Sequence, residues 1–147
     1  MSDELLRLAD AVECYKVEGP WDIARDRERD LNERIAIAAG VPCTVKVGHP
    51  ALGDERTIPA RIPAYTASLD AAMSLVPAKL RLMLTEWDDE KHLRAQGPWQ
   101  AVLSEPGQDA SFDAMRGYRC EHAATPALAL TAAALRARAF HLRMEVE

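Results

Sequence analysis

The sequence predicts an α+β domain in which a small antiparallel sheet is covered by helices from both ends of the chain. Three observations lead there. The stretch Leu80-Arg-Leu-Met-Leu-Thr-Glu-Trp87 alternates apolar and polar residues, the pattern of a half-buried strand. On either side of it, residues 63–77 and 124–139 each open with a helix-start signal and continue as a small-residue amphipathic run. Helical periodicity fills most of the first 40 residues. A chain of 147 residues suits one domain with a single moderate core. Its apolar share of 48% and charged share of 28% are those of an ordinary globular protein.

Ser2 or Asp3 caps a first helix running to about Lys16, with Leu5, Leu8, Ala9 and Val12 on one face. Gly19-Pro20 ends it. A second helix starts at Trp21 or Asp26 and runs to Ala39, with Leu31, Ile35 and Ala38 on one side, and Gly40 then Pro42 supply the stop. Its opening block Arg25-Asp-Arg-Glu-Arg-Asp30 alternates in sign, which reads as a solvated, salt-bridged helix face rather than a nucleic-acid tract.

Residues 41–64 hold four prolines and two glycines and read as a connector with a short extended piece at 44–47. Such a stretch is either a functional loop or an insertion in a tolerant one. Thr66 or Ser68 caps the third helix, Asp70 suits its first turn, and Leu69, Met73 and Val76 are expected to face the core before Pro77 stops it. In the strand that follows, Leu80, Leu82 and Leu84 share one face. Asp88-Asp-Glu-Lys91 opens a connection, Gly97-Pro98 breaks it, and Trp99-Gln-Ala-Val-Leu103 reads as a second strand. Residues 111–120 are ambiguous, with a third, irregular strand as one reading. Thr125 as cap and Pro126 at the first helical position begin the last and longest helix. Leu128, Ala132, Leu135, Ala139 and Leu142 mark a narrow seam along it.

Taken in that order, the chain resembles from end to end the phage ABA sandwich domain family of small phage and prophage proteins. The resemblance is carried by Leu5-Leu-Arg-Leu-Ala-Asp-Ala-Val-Glu13, by the helix end at 30–40, and most distinctively by Tyr65-Thr-Ala-Ser-Leu-Asp-Ala-Ala-Met-Ser-Leu-Val-Pro77 and residues 124–139. The insert at 41–62 and the extended turn from Asp88 to Pro98 depart from it. The resemblance implies a single domain over 1–147 with the sheet sandwiched between helical layers. It also implies a phage or prophage setting. It implies no catalytic residues.

Charge narrows the function classes. Net charge is −5, which disfavours non-specific nucleic-acid binding, since that runs on Lys and Arg neutralising phosphates. Residues 1–33 carry 5 basic and 10 acidic side chains, whereas residues 115–147 carry 5 and 3. Cys14, Cys43 and Cys120 form no CxxC pair, so a reducing cytoplasm is expected, that of the host cell if the chain is phage-encoded. No signal peptide or membrane span is expected.

Candidate chemistry is sparse. Cys120-Glu-His122 could supply two zinc ligands, but structural zinc wants four in paired spacings, so a loop leading into a capped helix is the plainer reading and neither metal nor cofactor is expected. Ser68 is explained by its capping position, and Asp88-Asp89-Glu90 by a solvated turn. No GxSxG, GxGxxG or GxxxxGK spacing occurs. Three readings of function remain. The first is a non-enzymatic phage or prophage accessory protein that binds a host or phage protein, in counter-defence or host takeover, through Asp22, Asp26, Glu28 and Asp30. The alternative is a binder of a small nucleotide or nucleic acid, with Tyr65, Trp87 and Trp99 stacking bases and Arg136, Arg138 and Arg143 meeting phosphates. For the tryptophans, filling the sheet–helix interface is the favoured role. A hydrolase is the third reading. Homo-oligomerisation is compatible with each.

Overall fold

The computed structural model describes residues 2–16, 20–86, 97–104 and 118–146. The elements run α1 (Ser2–Glu13), α2 (Trp21–Ala38), β1 (Thr44–Val47), β2 (Arg56–Pro59), α3 (Leu69–Met73), β3 (Arg81–Glu86), β4 (Trp99–Ser104), β5 (Tyr118–Ala123) and α4 (Pro126–Val146). The architecture is α+β, with a two-stranded sheet β1-β2 and a three-stranded antiparallel sheet β3-β4-β5.

The last helix begins as its sequence dictates. Thr125 Oγ1 accepts the Leu128 N–H at 3.2 Å, and Pro126 occupies the first helical position, where its missing N–H costs nothing. Beyond that start, the expected narrow seam is exceeded. Leu128, Ala132, Leu135 and Ala139 are buried, but so are Ala129, Leu130, Thr131, Ala133, Ala134 and Ala137. A helix apolar on all sides must be wrapped on all sides. Accordingly, α4 packs on β4, β5, α1 and α3.

Register carries the apolar rows of the sheet toward α4. Leu82 pairs with Leu103, Leu84 with Ala101, and Ala101 with Cys120. Ala101, Leu103 and Cys120 are fully buried, and Leu80, Leu84 and Trp99 pack against the same core. Leu82 departs from expectation at 38% exposed, because β3 is an edge strand and, unlike the other edge strand β5, is not covered by α4, which lies over β4 and β5. The third strand starts at Tyr118, and residues 111–117 lie outside the described residues. The Cys120-Glu-His122 triplet is therefore strand, not loop. Trp99 pairs with Ala123 but Ala101 with Cys120, so β5 carries one extra residue there, a β-bulge.

α1 packs along α4 and reaches β5, burying Leu5, Leu8, Ala9 and Val12 as their spacing predicts. Helices from both chain ends thus cover the sheet. Among the described residues α2 and α3 make no comparable contact with it, so the helical layering is seen from one side only. α2 ends in a Schellman motif: Val41 N–H donates to Ala36 O at 2.9 Å and Gly40 N–H to Ile37 O at 3.1 Å, with Gly40 at φ +77°.

α3 corrects the expected core face. Ser68 caps it, its Oγ accepting the Ala71 N–H at 3.3 Å. Ala72 and Leu75 are buried, Val76 is partly buried, and Leu69 and Met73 stand 41% and 46% exposed. The helix is only five residues long, too short to sustain a four-and-three stripe. Leu75 reaches the core from the turn that follows.

The 41–64 connector is likewise more ordered than expected. The extended piece at 44–47 exists as β1, but it pairs with a second strand, from Thr44↔Pro59 to Val47↔Arg56. Among the described elements neither strand packs appreciably on anything but the other. Two predictions close this description. Replacing residues 45–58 by a Gly-Gly link should leave the thermal midpoint within about 3 °C, because paired Cα atoms lie only about 5 Å apart and no core is removed. A larger drop in calorimetry would show that the hairpin supports the domain. Gly97→Ala should instead cost about 2–3 kcal/mol in urea titration, since φ is +143° and a Cβ would meet Ala123 O at 2.5 Å.

Candidate functional site

α2 carries a line of exposed acidic residues. Its inward side buries Ala24, Leu31, Ile35, Ala36 and Ala38. Four-residue steps place Asp22, Asp26 and Asp30 in one line on the opposite side, with Glu33 and Ile37 beside it. All five are exposed. Trp21, at the head of the line, is 74% exposed, and Ile23 and Ile37 are 46% and 60% exposed. The acidic line has no ion-pair or hydrogen-bond partner among the described residues.

Two of the neighbouring arginines, Arg25 and Arg34, are held elsewhere. The Arg25 guanidinium sits 4.7 Å from the Trp21 ring centroid, a cation–π contact. Arg34 Nη2 reaches Glu4 of α1 at 3.3 Å. The alternating block is thus solvated, as expected, but the bridges expected along the helix are not formed among the described residues. Like charges at four-residue spacing oppose the helix by about 0.2–0.5 kcal/mol per pair, so the acidic line is not there for local stability.

Glu28 separates from this group. It is half-buried, and its Oε1 accepts the Thr66 hydroxyl at 2.9 Å. Asn32, one turn on, accepts the Thr66 N–H through Oδ1 at 3.1 Å. The pair ties α2 to the segment entering α3. Tyr15 lies near this junction and donates its hydroxyl to Ala24 O at 3.4 Å; burial and then the Glu28 charge push its pKa upward.

The residues proposed for nucleotide binding do not assemble into one cleft. Tyr65 is wholly buried and its hydroxyl has no partner among the described residues. Burial raises its pKa, against the opposing charge of Arg138. Trp99 is half-buried at the start of β4. Trp87 and the Arg143 side chain lie outside the described residues. Arg136 is a tether: it donates to Arg119 O and pairs with Glu13 at 2.7 Å and Asp10 at 2.9 Å. Burial alone would lower its pKa, but hydrogen bonds to Glu13 and Asp10 outweigh that and raise it. Arg138 donates Nε–H to Leu75 O at 2.6 Å.

Cys120 is buried in the core, Cys14 is exposed and Cys43 half-buried, and none is joined in a disulfide. Among the described residues no three His, Cys, Asp or Glu side chains cluster as metal ligands, and no helix is long and apolar enough to cross a membrane. The periodicity reading passed over Trp21, Ile23 and Ile37. The signal was available, because both isoleucines fall out of phase with Leu31 and Ile35. Comparison with protein-family models, with curated proteins and with solved structures finds no match.

The Arg136 tether gives a stability prediction. Arg136→Ala should cost about 2–3 kcal/mol in urea titration, because it takes the guanidinium away from the largely buried Glu13 carboxylate and from the Arg119 carbonyl. Asp10→Ala should cost less than about 1 kcal/mol, since Asp10 is 76% exposed. Equal losses would mean that Arg136 acts only through a surface pair.

Proposed function

We propose that this chain is a non-enzymatic binding protein that docks the outer face of α2 onto a basic region of a partner protein. The single observation that carries the reading is the combination on and beside that face: four carboxylates with no partner among the described residues, exposed Ile23 and Ile37 alongside them, and exposed Trp21 at the helix start. Aromatic anchors ringed by charge are how protein interfaces concentrate affinity and steer encounter. The engagement of Arg136 with its own chain removes one of the arginines that a phosphate-bearing partner would use and so supports a protein partner. The resemblance stated from the sequence places this role in a phage or prophage accessory protein acting on a host or phage target. Action in the cytoplasm of the host cell belongs to the same proposal.

The test is a pull-down from host lysate across a salt series. In the variant, Asp22, Asp26, Asp30 and Glu33 become Lys, while Glu28 is kept because it bonds Thr66. The variant should lose the retained protein and its salt dependence, with the melting point shifted by less than about 3 °C. Trp21→Ala alone should weaken capture at least about tenfold. Lys at Glu55 and Glu86, exposed acids away from α2, is the control. Equal loss in the control, or none in the α2 variant, would move the interface off this helix.

A further inference from the structure

Where α1, the C-terminal turn of α2, the segment after α3 and the last turns of α4 converge, they enclose an open cavity of about 340 Å³. Its apolar walls are Leu5, Ala38, Ala39, Pro77 and Leu142, and two side chains from successive turns of α4, Arg138 and His141, complete it. That size lies at the lower end of the roughly 300–1,000 Å³ typical of small-molecule sites, which combine apolar walls with a few convergent polar groups.

Arg138 is the informative residue. Its Nε is anchored on Leu75 O at 2.6 Å, which fixes the plane of the guanidinium. Among the described residues neither Nη nitrogen has an acceptor. A half-buried guanidinium so held is a preorganised fork for a carboxylate or phosphate, and most of its ordering cost is met by the fold itself. His141 adds a second polar group to the same wall, and its Nε2 is buried without a partner among the described residues. The end of α2 brings the opposite polarity, but only about half a charge, and its Ala36 and Ile37 carbonyls are occupied by Val41 and Gly40 N–H groups. The full charge of Arg138 therefore decides the sign of the site. Among the described residues no Trp, Tyr or Phe lines the cavity.

We infer that this cavity binds a small organic anion with an apolar body, its carboxylate or phosphate on Arg138 and its body against Leu5, Ala39, Pro77 and Leu142. The inference is independent of the α2 outer face.

Octanoate and phenyl phosphate are suitable probes, with octanol as the neutral control, in calorimetric titration of the folded chain and in amide-shift mapping. Saturable binding of an anion is expected, with shifts centred on Ala39, Gly40, His141 and Leu142, and at least tenfold weaker binding of octanol. Arg138→Gln should weaken the anion at least tenfold. Because that change also removes the bond to Leu75, Ala39→Phe serves as a second variant. It fills the cavity from the α2 wall, should abolish binding, and leaves Arg138 in place. Preference for octanoate over phenyl phosphate, or the reverse, identifies the head group. Absence of saturable binding by either anion, shifts centred elsewhere, equal affinity for octanol, or undiminished affinity in a folded Ala39→Phe protein would overturn the inference.

Discussion

The structure depends on the burial of α4 on all sides. A run such as Ala132-Ala-Ala-Leu135 offers little apolar area per residue, so the helix is held by close approach rather than by large side chains. Leu128, Leu130 and Leu135 each bring about 1.5–3 kcal/mol of burial, and the alanines between them let sheet, α1 and α3 come near together. Several of the polar groups that cross this packing are answered. Thr131 donates its hydroxyl to Tyr65 O at 2.8 Å, and Arg138 and Arg136 bond the Leu75 and Arg119 carbonyls. Arg136 further binds α1 through Glu13. Arg136 and Arg138 thus act as tethers around an alanine helix.

That arrangement decides which surfaces are left over. With α4 covered by α1, α3 and the sheet, α2 packs on α1 alone among the elements it meets appreciably. It needs only its inner stripe for that, with Glu28 and Asn32 gripping Thr66 at one margin. The opposite side is under no packing constraint, so the two Ile standing exposed there, and Trp21 exposed at the helix start, cannot be attributed to the core. Scattered surface hydrophobes are ordinary, whereas Ile23 and Ile37 stand beside like charges that have no partner among the described residues, the arrangement on which the proposed contact surface rests.

Much of this was legible before the structure. The helical spacing at Leu5, Leu8, Ala9 and Val12, the cap and proline at Thr125-Pro126, the existence of a strand at 81–86 and the stop at Gly40 each express a local rule, and each holds. The misses are of another kind. Leu82 obeys the strand pattern yet is exposed, because which strand forms the edge is set by the whole sheet. Met73 sits in helical phase with Leu69, but α3 ends before that phase can matter. β2 is four residues closed by Pro59 and becomes a strand only because β1 is there to pair with it. The all-round burial of α4 was hidden by the same alanines that permit it, since a small residue signals no preferred face.

The site divides along the same line. Asp22, Asp26 and Asp30 are legible as a line because helical spacing within one element is enough to place them. Glu28 has the same spacing and charge, and only the long-range contact with Thr66, 38 residues away in sequence, removes it from the set. The cavity lies further still beyond a sequence reading. It joins Leu5, Ala39, Pro77 and His141 across nearly the whole chain, and its polar character rests on how Leu75 O orients one guanidinium. Periodicity names faces of single elements. A concavity exists only between elements, and the chemistry of this one follows from which nitrogen of Arg138 the fold has already engaged.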